Sequence, residues 1–136
     1  MKFLISTHFY TRRFLHPLET GHGVWNVREG ILIKLKSEKG TGFGEVAPIP
    51  FFKTETIDEA QAFIGSLGKV VDLDDLQIPE TFPCTAFAFS SAVAQIDNNQ
   101  AKKADKSFPI AGLLPSGRSS REALKTKTSA GFKTFK

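Results

Sequence analysis

The stretch that most restricts the fold of this chain is residues 42–52, Gly-Phe-Gly-Glu-Val-Ala-Pro-Ile-Pro-Phe-Phe. Proline fixes φ and lacks a backbone N–H, so a strand cannot continue through Pro48 and Pro50. The sequence therefore predicts a strand over residues 41–47 that ends in a stiff, apolar loop. Phe51 and Phe52 lie in or next to that loop, where apolar side chains indicate a ligand, a partner or a small additional core.

The residues before this stretch predict the rest of a sheet. Residues 2–15 read as a first strand that Pro17 ends, and residues 24–36 read as a second. Ile31, Ile33 and Leu35 share one face and Lys34 and Lys36 lie on the opposite one, which is typical of a half-buried antiparallel strand. A turn over 37–40 leads into the third strand, so we expect a three-stranded antiparallel meander.

Two glycines surround a histidine in residues 20–25, Thr-Gly-His-Gly-Val-Trp. Such glycines predict a flexible turn, and their spacing is not that of a phosphate-binding loop. Because His22 and Trp25 lie close to these glycines, a segment that closes over a ligand is the alternative interpretation. Glu45 shares a strand face with Phe43; if that face is inward, the carboxylate needs a donor, and a structural role is favoured over a catalytic one.

Two helices are predicted after the loop. Thr56 and Glu59 form a capping-box pattern for the first, which Gly68 ends. A polar link with Asp72, Asp74 and Asp75 follows; it lacks the remaining residues of a calcium loop and is interpreted as solvated. The second helix, residues 83–97, is apolar nearly all round, which predicts burial on more than one side. Cys84 near its start is interpreted as a small buried side chain, with a reactive thiol as the alternative.

The last third of the chain changes character. Residues 98–107 form a polar linker, and residues 108–115 are a continuous apolar run, typical of a strand buried on both faces. Ser119 and Glu122 form a second capping-box pattern that begins a helix, and residues 132–136 begin another strand. This strand–helix–strand order predicts a parallel sheet. One such unit cannot bury itself, so we expect the chain to stop inside a larger α/β domain.

Composition excludes several classes of protein. The net charge is +4, and the basic residues are scattered over the chain rather than clustered, which disfavours nucleic-acid binding. The single cysteine permits no intramolecular disulfide and is typical of a reducing compartment, so a cytoplasmic location is predicted. We find no signal peptide and no stretch long enough to cross a membrane, and expect no membrane partner.

The motifs resemble those of the o-succinylbenzoate synthase family of the enolase superfamily. The matching segments are 20–25 with 27–30, then 42–50, 78–89, 113–115 and 131–136. The resemblance implies an α+β fold: an N-terminal capping domain, with the three-stranded meander followed by helices, then the truncated start of a (β/α)8 barrel. It divides the chain into a capping domain (1–97), a linker (98–107) and the first β-α-β of the barrel (108–136).

The resemblance also implies a chemistry for the complete enzyme. That enzyme would dehydrate 2-succinyl-6-hydroxy-2,4-cyclohexadiene-1-carboxylate to o-succinylbenzoate on the route to menaquinone or phylloquinone. A lysine would remove the proton α to the carboxylate, and Mg²⁺ held by three carboxylates would stabilise the enediolate. Lys136 matches the first lysine of the family's Lys-x-Lys motif, which assists; the base itself and the metal ligands would lie beyond this chain. No metal is expected to bind this chain alone.

By the same resemblance, two loops would close over the barrel mouth and contact the succinyl end of the substrate. Their predicted substrate-binding residues are Thr20, Gly21, His22, Gly23, Trp25, Ile49, Pro50, Phe51 and Phe52. The expected partners are a small carboxylate substrate and the missing barrel. The alternative is a self-contained domain that binds a small ligand or a protein without catalysis. Since an open βαβ unit exposes apolar surface, we also expect exposed hydrophobic side chains over residues 108–136, with self-association or partial disorder of that segment.

Overall fold

The computed structural model describes residues 1–97 and 107–136. Along the described residues the strands and helices follow in the order β1 (Lys2–Thr20), β2 (Gly23–Ser37), β3 (Gly40–Val46), α1 (Ile57–Ser66), β4 (Val70–Asp72), α2 (Pro83–Asp97) and α3 (Ser120–Ser129). The four strands form a single sheet in the order β3-β2-β1-β4. Within the described ranges, no helix is both long enough and apolar enough to span a membrane.

The first strand is longer than predicted. β1 pairs with β2 from Leu4–Lys36 to Thr20–Gly23, with an irregularity between Arg13 and Leu18. The prediction that Pro17 ends the strand is therefore wrong. A proline is tolerated where the ladder is already interrupted, and Pro17 lies inside the irregular segment, so pairing resumes at Leu18 and Trp25.

The sequence analysis did not predict the fourth strand of the sheet, β4. β4 pairs with the first residues of β1, Lys2 to Leu4, which adds a strand to the predicted meander. Three residues are too few to show an alternating pattern. Asp72 belongs to this strand, and the Met1 ammonium donates to Asp72 Oδ1 (2.7 Å) and Asp74 Oδ2 (2.5 Å). The interpretation of these carboxylates as a solvated loop is therefore wrong for Asp72, which belongs to β4, whereas Asp74 and Asp75 are exposed in the turn that follows it.

Helices α1 and α2 lie on one face of the sheet, and α2 lies against β3. A Cβ at Gly42 would come within 1.8 Å of the Ala92 carbonyl oxygen, and one at Gly44 within 1.9 Å of the Ala88 oxygen. The two glycines therefore permit direct contact between helix and strand backbones. The inward face of β3 carries these glycines and Val46, so Glu45 lies on the outer, exposed face rather than inward.

The core lies between this face and the helices. Its buried side chains are Phe3, Ile5, Ile31, Ile33, Leu35, Val46, Ala60, Ile64, Val71, Ala88, Phe89, Ala92 and Ile96. The capping box of α1 is confirmed, since Thr56 and Glu59 make both reciprocal bonds. The predicted burial of α2 on more than one side is wrong within the described residues, because Phe87 is 69% exposed.

The free edge of β3 is covered by one side chain of α2. Gln95 Oε1 accepts a hydrogen bond from the Phe43 N–H at 3.0 Å. Gln95 Nε2 donates to the Phe43 carbonyl at 2.9 Å. A single amide therefore satisfies both backbone groups of this residue.

The last third of the chain contains the predicted parallel pairing. Gly112 and Phe135 form a parallel bridge, and α3 lies between the two paired segments in sequence. The Lys136 N–H donates to the Gly112 carbonyl at 3.0 Å, and the Leu114 N–H donates to the Lys136 carbonyl at 2.8 Å. Strand, helix and parallel return are therefore present, although only as a short bridge.

Two details of this part differ from the sequence prediction. Ser119 has a helical backbone and makes no side-chain cap, because a 3₁₀ turn (Gly117–Ser119) precedes α3; the second capping box is wrong. Residues 108–115 are not buried on both faces, since Phe108 is 77% and Ile110 72% exposed. The expected exposed hydrophobic surface is thereby confirmed. Most of the predicted linker, 98–106, lies outside the described residues, and the division into domains stays a prediction.

Candidate functional site

Two loops meet at one end of the sheet and enclose a cavity. We call residues 20–25, which are the turn between β1 and β2 and the strand residues next to it, the hairpin loop. We call residues 48–52, after β3, the proline loop. The cavity between them has a volume of about 480 Å³, a size typical of small-molecule sites. Its lining residues are Thr20, His22, Gly23, Val24, Trp25, Ile49, Pro50, Phe51 and Phe52. The structure thus brings together every residue of the predicted substrate site except Gly21, and adds Val24.

The side chain of Thr20 stabilises the turn of the hairpin loop. Thr20 Oγ1 donates to the Gly23 carbonyl at 2.8 Å and accepts from the His22 N–H at 3.2 Å. Gly23 has a φ of +117°, which a residue with a side chain rarely adopts. Gly21 forms the exposed tip of this turn, which explains why it does not line the cavity.

One residue of the proline loop and the lysine directly after the loop have an unfavourable backbone conformation. Phe51 has a φ of +74° and Lys53 one of +58°. For residues other than glycine this conformation costs about 1–2 kcal/mol each, and such strain is concentrated at functional sites. The Phe51 ring is stacked against the His22 ring, with centroids 5.9 Å apart and planes at 22°. This stacking is a direct contact between the two loops.

Trp25 lines the cavity and contacts two other side chains. The Phe14 ring meets it edge-on, with centroids 5.4 Å apart. The Arg28 guanidinium lies 5.3 Å from the Trp25 ring centroid, a cation–π distance. Arg28 also donates to the Ala47 carbonyl at 2.6 Å and the Pro48 carbonyl at 3.2 Å. Sequence reasoning assigned no role to Arg28, because hydrogen bonds to backbone carbonyls leave no motif.

A second polar contact lies on the outer face of the sheet, next to Arg28. The Tyr10 hydroxyl donates to Glu45 Oε1. Burial and, after it, this hydrogen bond to a carboxylate raise the pKa of Tyr10 above its ordinary value. Glu45 therefore has the donor partner that its structural interpretation requires, although it takes that partner from the outer face.

Glu55 anchors the chain that leaves the proline loop. It is only 4% exposed, and its Oε1 accepts from the Thr85 N–H at 2.7 Å in the first turn of α2. A carboxylate at this position also interacts favourably with the helix dipole. Its second oxygen has no hydrogen-bond partner among the described residues. Sequence reasoning missed this contact too, because 30 residues separate the two groups.

Cys84 and Lys136, which the sequence also singled out, do not line the cavity. Burial raises the pKa of the half-buried Cys84 thiol, so little reactive thiolate forms and the structural interpretation is favoured. Lys136 is exposed at the end of the parallel pair and does not line the cavity between the loops. Within residues 1–97 and 107–136, no group of three His, Cys, Asp or Glu side chains could hold a metal ion. The described carboxylates therefore do not fit a magnesium site.

Comparison with solved structures defines the class of protein. The crystal structure of o-succinylbenzoate synthase from Thermosynechococcus elongatus BP-1, complexed with Mg in the active site, superposes with a TM-score of 0.82 and 30% identity, over 97% of this chain and 41% of that one. A dipeptide epimerase from Enterococcus faecalis has a TM-score of 0.72 at 18% identity, covering 99% of this chain and 45% of its own. The fold is that of the enolase-superfamily N-terminal capping domain, an antiparallel sheet followed by helices.

Comparison of sequences gives the family. O-succinylbenzoate synthase from Thermosynechococcus vestitus is 33% identical over 129 residues, which is 93% of this chain and 39% of the relative. The enzyme of that name from Yersinia enterocolitica is 38% identical over 90 residues, 62% of this chain and 28% of its own length. The family described as MenC, N-terminal domain, matches residues 17–96. The chain belongs to this family, and it spans about two-fifths of the length of its Thermosynechococcus relative.

Proposed function

We propose that this chain is the substrate-capping part of an o-succinylbenzoate synthase, a Mg²⁺-dependent lyase of menaquinone or phylloquinone biosynthesis. The complete enzyme would dehydrate 2-succinyl-6-hydroxy-2,4-cyclohexadiene-1-carboxylate to o-succinylbenzoate. The observation that carries the proposal is the meeting of the hairpin and proline loops around a cavity of about 480 Å³. A cytoplasmic location belongs to the same proposal and rests on the single, half-buried, unpaired cysteine.

The chain's own residues would bind the substrate and exclude water. The apolar side chains of Trp25, Phe51 and Phe52 cover the carbon skeleton, and closure over it removes solvent from the reacting centre. His22 carries a ring N–H that can donate to the succinyl carboxylate. Because Phe51 is stacked against His22, the two loops would close together rather than independently.

The proton transfer would depend on groups outside the described residues. Mg²⁺, when bound, would stabilise negative charge on the substrate carboxylate. None of the described carboxylates is grouped to hold the ion. Lys136 would be the assisting lysine, since a second ammonium lowers the pKa of the lysine that acts as the base.

The test is a dehydration assay with Mg²⁺ on this chain alone and on this chain mixed with the barrel part of the Thermosynechococcus vestitus relative. Activity only in the mixture is the expected result. In the active mixture, His22→Ala should raise KM about tenfold, which corresponds to about 1.4 kcal/mol of lost binding, with a smaller change in kcat. His8→Ala is the matched control, since His8 lies on β1 away from the cavity.

Two results would contradict the proposal. Activity of this chain alone would mean that the base and metal ligands are wrongly placed. An inactive mixture, combined with tight binding of a small ligand to the isolated chain, would favour a self-contained binding domain. Binding is followed by fluorescence of Trp25, which is the only tryptophan and lines the cavity.

A further inference from the structure

The start of the proline loop has backbone groups that the sheet does not satisfy. Pairing between β2 and β3 ends at Ile31 and Val46. The carbonyls of Ala47 and Pro48 therefore have no ladder partner, and Pro48 has no N–H with which to extend the ladder. Something other than a strand must fix the direction in which the loop leaves the sheet.

The Arg28 side chain supplies that connection. Its two terminal nitrogens donate to these two carbonyls, at 2.6 Å to Ala47 and 3.2 Å to Pro48. The planar guanidinium presents parallel N–H groups at a fixed spacing, which suits two neighbouring acceptors. The bonds are part-buried, so competition from water is reduced.

The same guanidinium also contacts the other loop. It lies 5.3 Å from the centroid of the Trp25 ring, which belongs to the hairpin loop and lines the cavity. One side chain therefore contacts both loops, in addition to the stacking of the His22 and Phe51 rings.

We propose that Arg28 is a positioning residue, which fixes the proline loop relative to the hairpin loop and so sets the shape of the cavity. Its relevance to substrate capping rests on the function proposed above, whereas its effect on the loops does not. Arg28 acts through the backbone of the proline loop and through the Trp25 ring, and it is not itself part of the cavity lining.

The chain offers a matched control for this role. Arg12 lies directly opposite Arg28 in the pairing of β1 with β2. Its guanidinium also lies over an aromatic ring, 5.4 Å from the centroid of Tyr10. The described hydrogen bonds to the proline loop come from Arg28 and not from Arg12. Arg28→Lys and Arg12→Lys both keep the charge, but only the first removes a two-pronged contact with the loop.

The experiment is limited trypsin digestion of this chain, with fragments followed by mass spectrometry. Lys53 is exposed immediately after the proline loop, so cleavage there reports opening of the loop. Lys36 lies in β2 and is paired on both sides, with Leu4 and Thr41, so cleavage there reports global unfolding. The ratio of the two cleavage rates separates local release from loss of the fold.

Arg28→Lys should raise the ratio of Lys53 to Lys36 cleavage about tenfold, and Arg12→Lys should leave it within about twofold, since loss of a charged hydrogen-bond pair increases local opening. Quenching of Trp25 by acrylamide should increase in the same variant. An unchanged ratio in Arg28→Lys, or an equal rise in both variants, would overturn the proposal.

A measurement on the unsubstituted chain does not depend on a variant that folds. In NMR spectra, a guanidinium held by two carbonyls should give separate terminal N–H signals that exchange slowly. Arg12 should give the averaged signal of a freely rotating side chain. An averaged signal from Arg28 would overturn the proposal. Neither this spectrum nor the digestion requires substrate, so their failure is distinct from failure of the dehydration assay.

Discussion

Tyr10 and Glu45 show how one residue pair links the sheet to the loop that follows it. Glu45 lies three residues before Pro48, and the Tyr10 hydroxyl holds it from the neighbouring part of the sheet's outer face. The folded chain favours the neutral form of Tyr10, first because the side chain is partly buried and second because the neutral hydroxyl donates a hydrogen bond to Glu45. This contact therefore belongs to the same polar group of side chains as Arg28, whose positive charge acts in the opposite direction on the pKa of Tyr10.

We predict that Tyr10 in the folded chain titrates at a higher pH than in the denatured chain. Burial is the main cause, and the hydrogen bond to Glu45 is the second. Since the folded pKa is raised, the contribution to stability is present below the unfolded value of 10.0 and is lost as pH rises through the folded value. Tyr10 is the only tyrosine, so tyrosinate absorbance reports it directly.

Substitution separates the two causes. Glu45→Gln should lower the midpoint of the Tyr10 titration in the folded chain part of the way toward that of the denatured chain, because the burial of Tyr10 remains. Glu29→Gln is the control, since that exposed carboxylate accepts from Thr11 instead. Equal midpoints in folded and denatured chains would contradict the assignment.

At the residue scale, the sequence predicted which side chains line the cavity better than what holds them. His22, Trp25, Phe51 and Phe52 were identifiable because glycines and prolines mark both loops. Arg28 and Glu55 were not, because each binds the backbone of a segment distant in sequence. Such contacts depend on the completed fold and have no local pattern.

At the scale of elements, the close approach of α2 to β3 depends on Gly42 and Gly44. Sequence reasoning used these glycines as part of a family motif but did not predict their contact with a helix. The alternating pattern of β2 predicted that strand well, whereas β4 was too short to show any pattern and Pro17 concealed the length of β1. Periodicity thus identified long regular elements, and tertiary pairing decided the rest.

We predict that Gly44→Ala destabilises the chain by about 3 kcal/mol, because the new Cβ overlaps backbone that cannot rotate away. The methyl group would be 1.9 Å from the Ala88 carbonyl oxygen. Gly65→Ala is the control: this glycine lies in α1, where an added Cβ would meet no atom within 4 Å beyond its chain neighbours and the helix's own backbone, and alanine should stabilise the helix by about 0.5–1 kcal/mol. Urea denaturation measures both. A loss below about 1 kcal/mol for Gly44→Ala would contradict the packing described here.

At the scale of the whole molecule, the apolar surface is unevenly distributed. Phe108, Ile110 and Leu113 are each more than half exposed, while the core between sheet and helices is well buried. The chain spans 39% of its Thermosynechococcus relative, whose remaining part would supply a cover for this surface under the proposed function. The sequence predicted this exposure from the open strand–helix–strand unit, without any knowledge of its packing.

We predict that the isolated chain associates in a concentration-dependent way through these residues, because exposed apolar surface of this kind favours contact between copies. Sedimentation measurements on the chain and on Ile110→Ser should show weaker association in the variant. Leu15→Ser is the control, since Leu15 is 97% exposed but lies on β1. Equal association of both variants would place the contact elsewhere.

The amide of Gln95 has a consequence for how the sheet ends. Exposed strand edges can recruit strands from other molecules, which leads to aggregation. A side-chain amide carries the same donor and acceptor as a peptide group, so Gln95 behaves toward Phe43 as a single residue of an added strand. An incoming chain would have to displace it before it could pair there. The helix that fills the core thereby also protects the edge of the sheet from intermolecular β-pairing.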